Sequence, residues 1–188
     1  EDREQRRTVA IKILDVGLFH DPLAEQRFQR EAEALAQLQH GHVVAVHDRG
    51  RTPEGIHYLV MELLDGCTLA SLLHALADGD PTAALAQHGI TNTEAPWPRC
   101  VARWGRDLAA GLAAAHGHGL LHRDVKPSNV FVTRSGRPVL LDFGIAARRA
   151  DERLTATQTT LGTPWYMPPE RLRAGGAGQA AATLDVYG

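Results

Sequence analysis

The 188-residue sequence predicts an α+β fold in which a small β-rich region precedes a mainly helical one. One observation is a β-branched run at 8–14, followed by strand-like segments at 43–49 and 56–62. The other is a pair of segments with helical apolar periodicity, at 22–40 and 98–117. The order of these segments places the strands mostly in the first third of the chain.

The first strand carries an unusual basic residue. Residues 8–14 read Thr-Val-Ala-Ile-Lys-Ile-Leu, and side chains alternate between the two faces of a strand. Lys12 therefore shares a face with Ala10 and Leu14, which a simple amphipathic strand would not place beside a charge. A lysine in a strand is usually solvated, so a functional interpretation of this position depends on the motifs that follow.

The helix predicted at 22–40 places a carboxylate beside an apolar stripe. Asp21-Pro22 is a helix-start signal. The stripe recurs at helical spacing and consists of Phe28, Ala32 and Leu35. Glu31 lies next to it, whereas Glu25 and Glu33 on the same helix have the ordinary character of surface residues.

The second region is built around helices and a hairpin. A helix is expected from about residue 68, and a buried helix over 98–117, where apolar residues step by three or four. Two short strands follow at 130–133 and 139–141, turned by Ser135-Gly136.

The stretch 74–98 is rich in turn residues. It contains Asp-Gly-Asp-Pro at 78–81 and Asn-Thr-Glu-Ala-Pro-Trp-Pro at 92–98. Residues 82–88 are long enough for one or two helical turns. The stretch is interpreted as a surface insertion, with a partner-binding role as the alternative.

Composition restricts the class of protein. Hydrophobic residues make up 44% of the chain and charged residues 22%, with a formal net charge of −2. This balance argues against nucleic-acid binding and against a polybasic membrane patch. No apolar run reaches the roughly 18 residues that span a bilayer. Cys67 and Cys100 show neither metal-ligand spacing nor a disulfide framework, so a reduced, cytoplasmic setting is expected.

Two short segments indicate the chemistry. Residues 122–129 read His-Arg-Asp-Val-Lys-Pro-Ser-Asn, and Asp142-Phe143-Gly144 follows at hairpin distance. A carboxylate, an ammonium and an amide thus share one loop, and a second carboxylate ends the next hairpin. Phosphoryl transfer from a metal-bound nucleotide needs such groups to orient the attacking hydroxyl and to bind Mg²⁺.

These segments resemble the catalytic loop H-R-D-x-x-x-x-N and the D-F-G loop of protein kinases, and the strand around Lys12 resembles their V-A-I-K strand. The resemblance is to bacterial Hanks-type serine/threonine protein kinases, which have a two-lobed fold. It implies a partial N-lobe at 1–64 and a partial C-lobe at 65–188. It also implies ATP and Mg²⁺ or Mn²⁺ as cofactors, and Ser or Thr side chains of proteins as acceptors.

The same resemblance implies roles for the charged residues. Asp124 would orient the substrate hydroxyl, and Lys126 would neutralise charge on the γ-phosphate. Lys12 would grip the α- and β-phosphates and pair with Glu31 on the helix. The implied metal ligands are Asn129 and Asp142.

The nucleotide pocket is implied by the stretch 61–66, Met-Glu-Leu-Leu-Asp-Gly, which resembles the kinase hinge. The residues expected around adenine are Ala10, Met61 as gatekeeper, Leu69, Phe131, and the backbones of Glu62 and Leu64. Most relatives carry an aliphatic residue at the position of Phe131, which predicts a more aromatic pocket floor.

The segment from Asp142 to Glu170 resembles an activation segment ending in A-P-E, with Pro168 in place of the alanine. The hydroxyls expected to accept regulatory phosphate are Thr155, Thr157, Thr159 and Thr160, of which the first two are favoured. Arg123 would clamp such a phosphate and order the segment. Thr163 and Glu170 are expected to shape the substrate loop.

The resemblance leaves parts of a kinase domain outside the sequence. No G-x-G-x-x-G loop precedes Lys12, and residues 184–188 resemble the start of a buried helix whose Asp185 would hold the backbone of His122 and Arg123. Residues 1–188 alone are therefore expected to be poorly soluble and inactive. A longer protein with a transmembrane helix, and a dimer that autophosphorylates, are both compatible with the sequence.

Two other functions stay open at this point. A pseudokinase or scaffold module fits if the phosphate-covering loop of a longer protein is defective. A small-molecule phosphotransferase of related fold fits H-x-D-x-x-x-x-N, although Lys126, Thr163 and Glu170 argue against it.

Overall fold

Two antiparallel sheets form the framework of the computed structural model, which describes residues 7–14, 22–91, 96–143, 164–169 and 182–187. The first sheet has the order β1-β3-β2, with β1 at Val9–Ile13, β2 at Val46–Arg51 and β3 at His57–Glu62. The second has the order β4-β5-β6, with β4 at Gly66–Thr68, β5 at Val130–Thr133 and β6 at Pro138–Leu140.

The helices of the described residues are α1 at Pro22–Gln37, α2 at Leu69–Ala75, α3 at Pro81–Gln87, α4 at Trp97–Gly117 and α5 at Thr183–Tyr187. Local sequence explains two of their starts. Thr68 caps α2 by accepting a hydrogen bond from the Ser71 amide, and Asp80 caps α3, which begins with a proline. In the described part of the chain, no helix combines the length and apolar character needed to cross a bilayer.

Helix α1 packs on the first sheet through its predicted apolar stripe. The stripe residues Phe28, Ala32 and Leu35 are almost fully buried, and so is Leu38, which follows the end of the helix. They belong to one core cluster with Leu112 of α4, Leu140 of β6 and Phe143. This core therefore joins the first sheet to the hairpin that follows the catalytic loop.

The strand expected at 43–49 is divided between the two sheets. Only its second half belongs to β2, whereas Val43 forms a parallel bridge with Leu140 of β6. The Val44 amide donates to the Leu140 carbonyl at 3.0 Å, and the Leu140 amide donates to the His42 carbonyl at 2.9 Å. Because these backbone groups form hydrogen bonds with β6, the segment between α1 and β2 attaches the first sheet to the second.

The interpretation of 74–98 as a surface insertion was wrong for its helical part. Apolar side chains of α3 and of the residues after it enter a second core cluster, whose members are Leu72, Ala84, Leu85, Ile90, Trp104 and Val132. The Thr91 amide also donates to the Arg134 carbonyl at 3.0 Å. The helix is too short to show a periodic apolar pattern, so the sequence did not predict its burial.

Candidate active site

The catalytic loop holds Asp124 by two side chains from its own turn. The Asn129 amide nitrogen donates to the Asp124 carbonyl at 2.8 Å and to its carboxylate at 2.9 Å. The Lys126 ammonium lies 2.7 Å from the same carboxylate. A short 3-10 helix at Pro127–Asn129 makes this return possible, since it brings Asn129 back beside Asp124. The three predicted residues are thus in direct contact.

The second carboxylate lies at the end of the β5–β6 hairpin. The Leu141 amide donates to the Asn129 carbonyl at 2.8 Å, which ties the hairpin to the catalytic loop. Asp142 follows with a left-handed backbone, at φ 49°. Its carboxylate lies 2.7 Å from the Lys12 ammonium of β1. Lys12 and Asp142 therefore lie beside the segment that is hydrogen-bonded to the catalytic loop.

The expected pair between Lys12 and Glu31 is absent from the described ion pairs. Glu31 instead lies 3.2 Å from the Arg123 guanidinium, and Lys12 pairs with Asp142. The Arg123 side chain is only 9% exposed. A buried guanidinium without a carboxylate partner costs more free energy than a partly exposed ammonium without one. This difference explains why Glu31 pairs with Arg123 and not with Lys12.

Asp185 supports the catalytic loop from behind, as the sequence predicted. Its carboxylate accepts hydrogen bonds from the His122 amide at 2.7 Å and the Arg123 amide at 2.6 Å. Arg123 has a left-handed backbone at φ 64°, a conformation that is costly for a side chain with Cβ. The two hydrogen bonds to the buried Asp185 carboxylate offset this cost, because both form only when the His122 and Arg123 amides point toward the same group.

His122 is fully buried, and its hydrogen bonds fit the neutral imidazole. Its Nε2 lies 2.7 Å from the Leu141 carbonyl and donates to it, while Nδ1 accepts from the Asp124 amide. Both ring nitrogens are thereby satisfied in the neutral imidazole. Burial lowers the pKa of His122 below its usual 6.5, and the carboxylates of Asp185 and Asp124 and the Leu141 carbonyl offset the shift only in part.

This lowered pKa predicts a loss of stability in mild acid. The unfolded chain binds a proton at His122 at a higher pH than the folded protein does. The stability that neutral His122 contributes is therefore complete above pH 6.5 and declines below it. One such group adds a slope of at most about 1.4 kcal/mol per pH unit. Urea unfolding from pH 7.5 to 5 measures the slope, which His122→Gln should reduce. The exposed His118→Gln is the control, and an equal slope in His122→Gln would contradict the expectation.

The residues expected around adenine are distributed over strands of both sheets, the start of α2 and the segment between β3 and β4. Ala10 of β1 lies opposite Met61 of β3, and Phe131 of β5 lies opposite Thr68 and Val139. Met61 is half-buried against the main core, as is Leu69 at the start of α2. The Glu62 amide already donates to the Ala45 carbonyl at 2.9 Å, and Leu64 lies on the connection to β4.

Several predicted residues lie outside the described part of the chain. They are Thr155, Thr157, Thr159, Thr160, Thr163 and Glu170. Of the segment before Glu170, residues 164–169 are described, with Pro168 buried and Trp165 84% exposed.

Comparison with known sequences identifies the family. The sequence profile of the protein kinase domain matches residues 1–188. This chain belongs to the protein kinase domain family. The kinase chain is 38% identical over 187 residues to the serine/threonine-protein kinase PknE of Mycobacterium tuberculosis, a match that covers all of this chain and 29% of PknE. It is 39% identical over 164 residues to PknH of Mycobacterium bovis, covering 87% of this chain and 24% of PknH.

A solved structure supports the same assignment. The crystal structure of the M. tuberculosis PknI kinase domain matches with a TM-score of 0.62 and 33% identity, over 94% of this chain and 57% of that one. The prediction of an α+β, two-lobed kinase fold of bacterial Hanks type is thereby confirmed. The chain spans less than a third of PknE and under three fifths of the PknI domain.

Sequence reasoning missed one contact that supports this kinase site. His116, near the end of α4, lies with Nε2 2.8 Å from the Asp185 carboxylate, so a third donor holds that group. Its position beside Gly117 at the helix end favoured a helix-terminus role over a metal site. Nothing in its spacing could have indicated a partner 69 residues away.

Proposed function

We propose that this chain forms part of the catalytic domain of a protein serine/threonine kinase that transfers the γ-phosphate of ATP to Ser or Thr side chains. The observation that carries the proposal is that two carboxylates, two ammonium groups and one amide lie on adjoining segments, which the hydrogen bond from Leu141 to Asn129 joins. They belong to Asp124, Asp142, Lys12, Lys126 and Asn129. Members of the family generally use ATP and Mg²⁺.

The described residues fit such a metal ion. The Asn129 side-chain nitrogen donates to Asp124. The side-chain oxygen of Asn129 is therefore the atom that can face a cation beside Asp142. Among the described residues, no three His, Cys, Asp or Glu side chains lie close enough to hold a metal without help. Mg²⁺ is commonly held by one or two carboxylates together with substrate phosphates, so this sparse ligand set suits it. When bound with ATP, it neutralises phosphate charge.

We propose the remaining roles from the resemblance of these motifs to those of the family. Asp124, held by Asn129 and Lys126, orients the acceptor hydroxyl and accepts its proton. Lys126 balances charge that develops on the transferred group. Lys12 contacts the α- and β-phosphates, with Glu31 as its partner in the active state. Adenine lies between Ala10 and Phe131, beside Met61 and the backbones of Glu62 and Leu64.

The regulatory and substrate-binding part of the proposal concerns the segment after Asp142. Phosphate on the cluster Thr155, Thr157, Thr159 and Thr160 would bind Arg123 and order the segment. Thr163 and Glu170 would shape the substrate loop, and dimerisation would bring two chains together for autophosphorylation. We place the lobe boundary between residues 64 and 65, and the catalytic domain in the cytoplasm.

Asp124→Asn is the substitution that tests the proposed reaction. In a protein that contains the whole kinase domain, kcat for phosphorylation of a Ser/Thr peptide is expected to fall by about 10²–10⁴-fold. Binding of a fluorescent ATP analogue should change little, because Asp124 does not hold the nucleotide. Peptide phosphorylation with radiolabelled ATP and a binding titration measure the two effects.

The matched control is Asp48→Asn, which makes the same change at an exposed position of β2. It should leave kcat unchanged. A wild-type protein that binds ATP without transferring phosphate would support the scaffold function instead. Transfer to an aminoglycoside but to no peptide would support a small-molecule phosphotransferase.

A further inference from the structure

A cavity of about 690 Å³, called the α2–α3 cavity below, is lined by α2, by the turn that follows it and by the end of α3. The turn is a 3-10 helix at Leu76–Asp78, followed by Gly79 with a left-handed backbone at φ 91°. The two helices meet through Leu72 and Leu85 in the second core cluster. Alanine side chains on their other sides are too short to fill the remaining space between them.

The lining of the α2–α3 cavity combines methyl groups with neutral polar groups. The methyl groups belong to three alanines, Ala70, Ala75 and Ala77. The polar groups belong to four side chains, Ser71, His74, Gln87 and His88. None of the described lining residues is an Asp, Glu, Lys or Arg. Because a hydroxyl, a carboxamide and a neutral imidazole all both donate and accept hydrogen bonds, this lining suits a ligand with hydroxyl groups and no net charge.

His88 has the polar atom of the lining that most needs a partner. Its Nε2 is enclosed by protein and has no hydrogen-bond partner among the described residues. Native structures leave few buried polar atoms in that condition, because an unmade hydrogen bond costs free energy. A half-turn of the imidazole about the Cβ–Cγ bond moves Nε2 from one edge of the ring to the other. A ligand hydroxyl in the cavity can then bond to Nε2 whether this atom donates or accepts.

We propose that the α2–α3 cavity binds a small neutral molecule that carries hydroxyl groups on a ring. The apolar face of the ring packs on the alanine methyl groups, and one hydroxyl bonds to His88. A volume of about 690 Å³ lies in the range of small-molecule sites. The lining contains none of the residues assigned above to ATP, to the metal or to the acceptor, so the proposal does not rest on the proposed reaction.

The lining fits a neutral ligand better than a metal ion or an anion. Among the described residues, no three His, Cys, Asp or Glu side chains are close enough together to hold a metal. His74 and His88 alone supply two ligands, whereas zinc sites have three or four from the protein. Strong anion sites use the fixed charge of Arg or Lys, and neither is present in the described lining.

Histidine NMR signals test the proposal directly. The whole kinase domain is labelled with ¹³C at the histidine Cε1 atoms, and phenol and methyl α-glucoside are titrated separately to about 20 mM. At least one of them is expected to shift the signals of His74 and His88 along a saturating curve, with a Kd of about 1–10 mM. Phenol presents an aromatic ring and the glucoside a sugar ring, so the pair distinguishes the two sources of ring hydroxyls.

Two substitutions locate the binding. Ala77→Phe fills the cavity from an exposed position and is expected to weaken binding at least about tenfold. Ala83→Phe makes the same change at an exposed position of α3 outside the lining, and it should keep the wild-type Kd. His88→Phe keeps a ring but removes its nitrogens, and it should weaken binding by about three- to tenfold.

The outcomes of these titrations decide between ligand classes. No saturating shift with either neutral ligand overturns the proposal, and so does an unchanged Kd in Ala77→Phe, which would place the binding elsewhere. Benzoate and Zn²⁺ are titrated in parallel. A saturating shift with either of these, and with neither neutral ligand, would assign the cavity to an anion or a metal and would also overturn the proposal. The signals report binding and not phosphate transfer, so these results are independent of Asp124→Asn.

Discussion

In a protein that contains the whole kinase domain, Asp185→Ala is expected to lower kcat by at least about 100-fold and the free energy of unfolding by about 3–5 kcal/mol. The carboxylate accepts from the amides of His122 and Arg123 and is joined to His116. Alanine would leave these buried donors without an acceptor, at about 1–3 kcal/mol each. The left-handed backbone of Arg123 would then relax, and Asp124 would move away from Asn129.

Peptide kinetics and urea unfolding measure the two effects of Asp185→Ala. Val186→Ala is the matched control, because Val186 follows on the same helix and is 77% exposed. His116→Ala removes one donor only and should have an intermediate effect on kcat. If Asp185→Ala unfolds at the wild-type urea concentration with normal kcat, the carboxylate does not support the loop.

The second large effect is expected from Leu85→Ala in α3, which should lower the free energy of unfolding by about 2–5 kcal/mol. Leu85 is 5% exposed and packs in a core cluster with Leu72, Trp104 and Val132. Val132 belongs to β5, the strand that directly follows Asn129. We therefore also expect a moderate fall in kcat, because the cavity left by the truncated Leu85 side chain weakens packing against the β5–β6 hairpin that follows the catalytic loop.

Gln87→Ala is the matched control for this prediction, since it truncates an exposed side chain on the same helix. Its free energy of unfolding should stay within about 0.5 kcal/mol of wild type. Equal stability of Leu85→Ala and Gln87→Ala would mean that α3 is a dispensable surface insertion after all.

Much of the site was accessible from residue spacing alone. Asp124, Lys126 and Asn129 lie within six consecutive residues, and the 3-10 helix at Pro127–Asn129 brings Asn129 back to Asp124. The sequence predicted that the three groups share one loop, whereas the contacts of Asp124 with Asn129 and Lys126 came from the structure. The role of Asp185 was also predictable, through the resemblance, although its partners lie 62 and 63 residues away.

Other features depended on segments that meet only in the folded chain. The burial of α3 requires Trp104 and Val132 from other elements, and the division of the 43–49 strand requires β6. His116 reaches Asp185 across 69 residues without any sequence signal. Short apolar runs and single histidines have no periodicity that could reveal such partners.

The sequence by itself determined the family, the α+β order of elements and the set of reactive groups, because these follow from residue types at short, regular spacing. The tertiary structure decided which charges pair: Lys12 with Asp142, and Glu31 with Arg123. These four residues come from four separate segments of the chain. The partner of each charge depends on distance and burial, which are properties of the folded chain and cannot be read from residue spacing.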